Sequence, residues 1–201
     1  MAGEGWPFVL PPLVLGGLGL ALGHPVWGGL ALLLAALMVL FFRDPERNVA
    51  GGDGAFVSPA DGRVVRIRET DRGTVEMSIF LAPWNVHINR APMAGALVEA
   101  LKVGGGYKPA YKDEASTGNV QTRLLFETAY GPVRMKQIVG MLARRLVLWK
   151  RAGDSVARGE RIGLMKFGSR VDLELPAAAK IRVREGDMVR GAETIIAEVG
   201  A

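Results

Sequence analysis

Arg151-Ala152-Gly153-Asp154-Ser155-Val156-Ala157-Arg158-Gly159 returns further along the chain as Arg184-Glu185-Gly186-Asp187-Met188-Val189-Arg190-Gly191, with the Gly-Asp-x-Val core displaced by 33 residues. Glycine admits a positive φ, aspartate closes a turn on its own backbone, and valine opens the next strand. Outward from these two turns, short β-branched runs recur at residues 63–68, 74–81, 96–103, 120–128, 133–141, 161–167, 171–175, 180–184 and 194–199. Lys180-Ile181-Arg182-Val183-Arg184 alternates polar and apolar residues, as a half-buried strand does. No stretch after residue 43 sustains a 3.6-residue period beyond two turns. The pattern predicts a mainly β domain over 55–201, a sandwich or barrel of many short strands made pseudo-symmetric by its paired turns.

The N-terminal part reads differently. Trp6 to Phe42 is a run of 37 residues without a formal charge, too long for one transmembrane helix and short for two. His24-Pro25 breaks it, because proline disfavours helical geometry at the residue before it and Gly23 is a ready terminator. Two helices, about 8–22 and 27–42, are expected to form a membrane hairpin over 1–42 that spans with strain or dips into one leaflet. A secretory signal peptide fits poorly, since the first basic residue is Arg43. Arg43 and Arg47 directly after the second helix place the body on the cytoplasmic face of the cell membrane, with 43–54 as linker.

Composition narrows the chemistry. The chain has 201 residues, 49% hydrophobic and 22% charged, which excludes intrinsic disorder. It has no cysteine, so disulfides, thiolate metal sites and a cysteine nucleophile are excluded. With only His24 and His87, no histidine-based metal site is expected. Residues 43–201 carry all 25 Lys and Arg against 19 acids, a net +6. This basic body suits anionic lipid headgroups. Nucleic acid is not expected, because basic residues alternate with acids and Arg144-Arg145 and Lys150-Arg151 are only doublets.

The Gly-Asp turns, with Ala91-Pro92-Met93-Ala94-Gly95, resemble those of biotinyl- and lipoyl-type barrel-sandwich domains, which implies a barrel-sandwich-hybrid-like fold. Leu164-Met165-Lys166-Phe167 resembles the carrier-lysine hairpin of that group only in part. Lys166 lies twelve residues after Asp154, too close, and the second methionine is missing. Lys166 is therefore expected to be an exposed strand-end lysine.

Gly168-Ser169, Ser58-Pro59-Ala60-Asp61-Gly62, Asn85-Val86-His87-Ile88-Asn89-Arg90-Ala91-Pro92 and Phe42-Arg43-Asp44-Pro45 together resemble the phosphatidylserine decarboxylases, in their short bacterial and archaeal branch. No single motif is specific; their order and spacing are. The resemblance implies a proenzyme that cuts itself between Gly168 and Ser169, giving a 1–168 β chain and a 169–201 α chain that remain together as a heterodimer. Ser169 then becomes a covalent pyruvoyl group, which forms a Schiff base with the substrate amine. The expected reaction converts phosphatidylserine to phosphatidylethanolamine and carbon dioxide, with no metal. A serine hydroxyl needs a base, and His87 is the only histidine of the body, so an orienting carboxylate is expected beside it. Asp61 matches the family's motif aspartate. Arg90 stands where long-branch members carry a second histidine, and is a candidate for binding phosphate or carboxylate. Lys108 and Lys112, which follow Gly104-Gly105-Gly106, are further candidates for the lipid phosphate. Two alternatives stay open: a decarboxylase of archaetidylserine, and a non-catalytic, membrane-anchored barrel-sandwich adaptor.

Overall fold

The structure, a computed structural model, describes residues 1–106, 118–140, 145–166 and 169–200. The chain divides into two units, Met1–Glu46 and Arg47–Ala201. The division falls within the stretch expected to be linker, because Arg47 is tied into the body by ion pairs of 2.8 Å to Asp61 and to Glu193.

In the first unit, α1 (Trp6–Ala21) and α2 (Pro25–Phe41) pack against each other. The turn between them uses Gly23 at φ +76, a left-handed conformation that costs glycine nothing. Glycines also set how closely the helices approach. A Cβ on Gly28 would lie 2.8 Å from the Leu20 nitrogen, and one on Gly19 would lie 3.0 Å from the Gly28 Cα. Large apolar side chains, among them Val14, Leu18, Trp27, Leu33 and Leu37, remain exposed. Among the described residues no helix is long and apolar enough to cross a membrane.

The second unit is mainly β. Its strands are β1 (Ala55–Val57), β2 (Gly62–Glu69), β3 (Val75–Leu81), β4 (Ile88–Arg90), β5 (Gly95–Val103), β6 (Gln121–Thr128), β7 (Gly131–Val139), β8 (Leu146–Leu148), β9 (Ser155–Val156), β10 (Arg161–Met165), β11 (Ser169–Leu175), β12 (Lys180–Ile181), β13 (Met188–Val189) and β14 (Ile195–Glu198). They form an eight-stranded sheet in the order β13-β2-β3-β11-β7-β6-β5-β9 and two three-stranded sheets, β1-β14-β12 and β4-β10-β8. Alternation along β11 buries Val171, Leu173 and Leu175 in the main core with Met77, Ile79, Val133 and Met135 from its neighbours.

The two Gly-Asp turns are the same structure twice. Gly153 and Gly186 take φ +99 and +96. The Asp154 and Asp187 carboxylates accept the Arg151 and Arg184 N–H groups, each at 2.8 Å. Gly153 donates to the Leu97 carbonyl and Gly186 to that of Val64, 33 residues apart on both sides. The repeat extends beyond the turns. Val57 donates to the Pro92 carbonyl and Arg90 to that of Pro59, both at 2.9 Å, while Ala192 donates to Ser58 and Gly159 to Ala91. One three-strand motif thus occurs twice, with β1, β2 and β14 matching β4, β5 and β10. The true counterpart of Gly159 is Ala192 rather than Gly191, and both take positive φ, +77 and +67.

Candidate active site

Ser169 is the first residue of β11, the strand flanked by β3 and β7 in the large sheet. It lies opposite Leu81 on one side and Val139 on the other. Its side chain shares the inward face with Val171 and Leu173 and is 0% exposed. Its Oγ has no hydrogen-bond partner among the described residues. A buried hydroxyl left unmade costs free energy, so a position of this kind calls for a functional reason.

His87 comes to the same place by connectivity. The chain leaves β3 at Leu81, opposite Ser169, turns through Ala82 and Asn85, and reaches His87, whose carbonyl accepts the Met165 N–H at 3.1 Å. Leu81 and His87 thereby hold the two flanks of the segment that contains the Gly168-Ser169 bond. The turn is closed twice, by Asn85 N–H to the Ala82 carbonyl and by Ala82 N–H to Asn85 Oδ1, both at 2.9 Å. The His87 ring is buried, and its Nδ1 lies 2.9 Å from the Asn85 carbonyl oxygen. A carbonyl only accepts, so Nδ1 carries the proton and Nε2 is the basic nitrogen of the neutral ring.

Asp61 does not orient that ring. Its Oδ2 accepts from Arg47 and its Oδ1 from the Gly191 N–H, both at 2.8 Å. The guanidinium and turn amide claim the carboxylate because a charge-assisted bond is the stronger use of it. The orienting acceptor expected for His87 is a backbone carbonyl instead. Arg90, in β4, is buried and donates to the Gly159 carbonyl at 2.9 Å. With Val49, Arg158 and Arg161 it borders a shallow hollow of about 510 Å³. Lys166 is only 8% exposed, so the exposed strand-end lysine expected from the sequence is corrected to a buried one. Gly168, Lys108 and Lys112 lie outside the described residues. Among those residues no group of three or more His, Asp or Glu side chains comes together to hold a metal.

The strand carrying Ser169 is anchored on its other face by Arg170 and Asp172, both 1% exposed and paired at 2.9 Å, with a further hydrogen bond of 3.1 Å. Two residues near the serine escaped the sequence reading. Asn89, in β4, accepts a 2.8 Å hydrogen bond from the Gln137 amide of β7, and both are fully buried. A signal for Gln137 was present: Val133, Met135, Gln137 and Val139 alternate along β7, and a glutamine in an inward register needs an explanation.

The profile of the phosphatidylserine decarboxylase family matches residues 34–197. The chain belongs to that family. A phosphatidylserine decarboxylase proenzyme of Aromatoleum aromaticum is 40% identical over 99% of this chain and 95% of its own length. One from Symbiobacterium thermophilum is 40% identical over 98% and 94%. A putative archaetidylserine decarboxylase proenzyme of Methanosarcina mazei is 42% identical over 84% of this chain and 78% of its own length. Membership places Ser169, at the start of β11, in a family whose relatives bear the name proenzyme.

Proposed function

We propose that this chain is a self-processing, pyruvoyl-dependent decarboxylase that converts phosphatidylserine to phosphatidylethanolamine. The observation that carries the reading is the Ser169 hydroxyl, buried without a hydrogen-bond partner among the described residues, on a strand end whose flanks are held by Leu81 and His87. In the precursor, Ser169 Oγ attacks the Gly168 carbonyl carbon and the peptide C–N bond breaks, leaving an ester and a free amine. His87 Nε2 takes the hydroxyl proton. Elimination across Cα–Cβ of Ser169 then breaks the Cβ–O bond and releases the 1–168 chain with a carboxylate terminus. Hydrolysis of the remaining enamine, through its imine, expels ammonia and leaves the ketone.

The site fits a group made in this way, because the group arises from Ser169 itself and replaces the orphaned hydroxyl within an apolar surround. It would supply an electron sink for the carbanion left by carbon dioxide. The chain's own residues keep water from that centre through Leu81, Val139 and Met165, all 0% exposed, and keep His87 Nε2 basic for proton movement. The Gly168-Ser169 cut yields a 1–168 chain and a 169–201 chain that stay paired, since β11 is hydrogen-bonded on both sides to strands of the larger fragment. The doubled three-strand motif supports a barrel-sandwich-hybrid architecture.

The helical unit is proposed to rest in one leaflet of the cell membrane with the β domain on the cytoplasmic side. At 1.5 Å per residue, helices of 16 and 17 residues reach about 24–26 Å, short of the ~30 Å hydrocarbon core. Archaetidylserine is the second reading, favoured by the name of the Methanosarcina relative. Tail contacts are nonspecific apolar burial, so the headgroup chemistry is shared.

Intact mass decides the processing. The purified chain is expected as two fragments split at Gly168-Ser169, the smaller about 17 Da lighter than its sequence through loss of ammonia. Ser169→Ala is expected to stay as one inactive chain; efficient cleavage of that variant at the same bond rules out the serine mechanism.

A further inference from the structure

Three fully buried polar atoms have no hydrogen-bond partner among the described residues and face one place: Ser169 Oγ, Asn89 Nδ2 and Gln137 Oε1. Gln137 lies opposite Val171 on β11, and Ser169 lies opposite Val139, two residues along β7. Cross-strand partners share a sheet face, so Gln137 and Ser169 are diagonal inward neighbours, a relation that in sheets separates residues by about 7–8 Å. Asn89 reaches Gln137 from the facing sheet, two residues after His87.

The doubled motif shows what the fold itself asks for here. In the β1–β14 copy, Phe56 pairs with Ala197, both 0% exposed, with a bulge between Phe56 and Val57. In the β4–β10 copy, Asn89 pairs with Gly163, next to the corresponding bulge. A core phenylalanine in one copy is an asparagine in the other, and alanine becomes glycine. Gly163 makes room for the amide: a Cβ there would lie 3.3 Å from Gln137 Nε2 and 2.4 Å from the Val147 carbonyl oxygen. Packing alone is satisfied by an apolar residue at the position equivalent to Asn89, so the asparagine is retained at a cost. Reversing both side-chain amides changes nothing essential, since one NH2 and one carbonyl remain unmade either way.

We propose that Asn89 and Gln137 form the recognition element for the amino-acid end of the lipid headgroup, an inference that rests on the decarboxylase reading above. The Asn89 amide donates to the headgroup carboxylate, and Gln137 Oε1 accepts from its amino group. A donor and an acceptor side by side match a group that offers both. A phosphodiester offers only acceptors, and the ethanolamine product has lost the carboxylate. The pair therefore selects substrate over product and aims the amine at the Ser169 position.

The test uses Asn89→Leu, Gln137→Met and the double variant in the full chain, with three readouts. Intact mass is expected to show complete cleavage. The melting temperature of the double variant is expected to be unchanged or raised, since removing both members of an unsatisfied buried pair is neutral to stabilising, whereas each single variant strands one amide and is expected to melt lower. The kcat/KM for phosphatidylserine is expected to fall about 10- to 100-fold, the scale of a lost hydrogen bond to a charged group. Inhibition by phosphatidylethanolamine, which keeps the amine but not the carboxylate, is expected to stay within about twofold in Asn89→Leu and to weaken in Gln137→Met. Asn89→Asp, which sets a carboxylate against the substrate's own, is expected to lose more activity than Asn89→Leu and covers the case in which leucine is not accommodated. The inference is overturned by unchanged kcat/KM, by equal weakening of substrate and product in Asn89→Leu, by failure to cleave, or by a clear fall in the melting temperature of the double variant. An unsubstituted chain that is neither cut nor active defeats the decarboxylase reading itself, a separate result from variants that match an active parent.

Discussion

At the scale of single residues, Ala192 and His87 show how much one backbone or ring position can carry. Ala192 is buried at φ +67, where an L-residue with a Cβ pays about 1–2 kcal/mol, while its counterpart Gly159 does not. Ala192→Gly is expected to raise stability by roughly 0.5–1 kcal/mol after the added unfolded-state entropy of glycine, measured by denaturant unfolding. A loss of stability would mean the methyl contacts outweigh the strain. His87 carries its proton on Nδ1 because the Asn85 carbonyl faces it. His87→Ala is expected to leave the chain folded and to abolish or greatly slow cleavage at Gly168-Ser169; processing at the normal rate would remove it as the base. The histidine was legible in the sequence as the sole imidazole of the body, whereas its orienting partner was not. A backbone carbonyl two residues away leaves no mark on side-chain identity.

Among the elements, β2, β3, β7 and β11 share a charged outer face centred on Glu76 of β3. Its carboxylate meets Arg68 at 2.8 Å, Arg66 at 3.3 Å and Lys136 at 3.3 Å. Burial alone would raise its pKa, but Lys136 and Arg68 outweigh this and hold it below the ordinary 4.5. A carboxylate with a depressed folded pKa stabilises fully above its unfolded value, and that contribution fades as pH falls through the folded one. Glu76→Gln is therefore expected to cost about 1–2 kcal/mol at neutral pH. The gap from the parent should close below about pH 4.5 in urea titrations across pH. A gap independent of pH would assign the cost to shape rather than charge. The strands of this sheet were legible from alternation, and β2, β3, β5 and β6 fall within one or two residues of the expected runs. The short strands β1, β4 and β8 were not, because three residues hold too little pattern and exist only through their partners.

On the scale of the whole molecule, an apolar helical unit is joined to a basic β domain. Attachment through exposed leucines should persist in salt, whereas attraction of the basic domain to anionic lipid should be screened. Co-sedimentation with anionic liposomes is expected to exceed that with neutral ones at low salt, and the excess should disappear by about 1 M, where the Debye length is about 3 Å. Equal binding that ignores salt would leave the helical unit as the sole attachment. The helix pair was legible as a long uncharged run broken at His24-Pro25. The lengths of the two helices, 16 and 17 residues, came only from the fold.

The sequence by itself determined the mainly β character of the body, the two Gly-Asp turns, the uncharged N-terminal helices and the serine and histidine of the candidate site. Each is a local property: a period, a turn that one aspartate closes on its own backbone, a missing charge, a short motif, or the one histidine of the body. Only the tertiary structure decided that Asp61 serves Arg47 and Gly191, that Lys166 is buried, and that Asn89 and Gln137 meet beside Ser169. These depend on which segments become neighbours across distances of 14 to 130 residues. A side chain's partner at that range is set by sheet order and register, which no local pattern encodes.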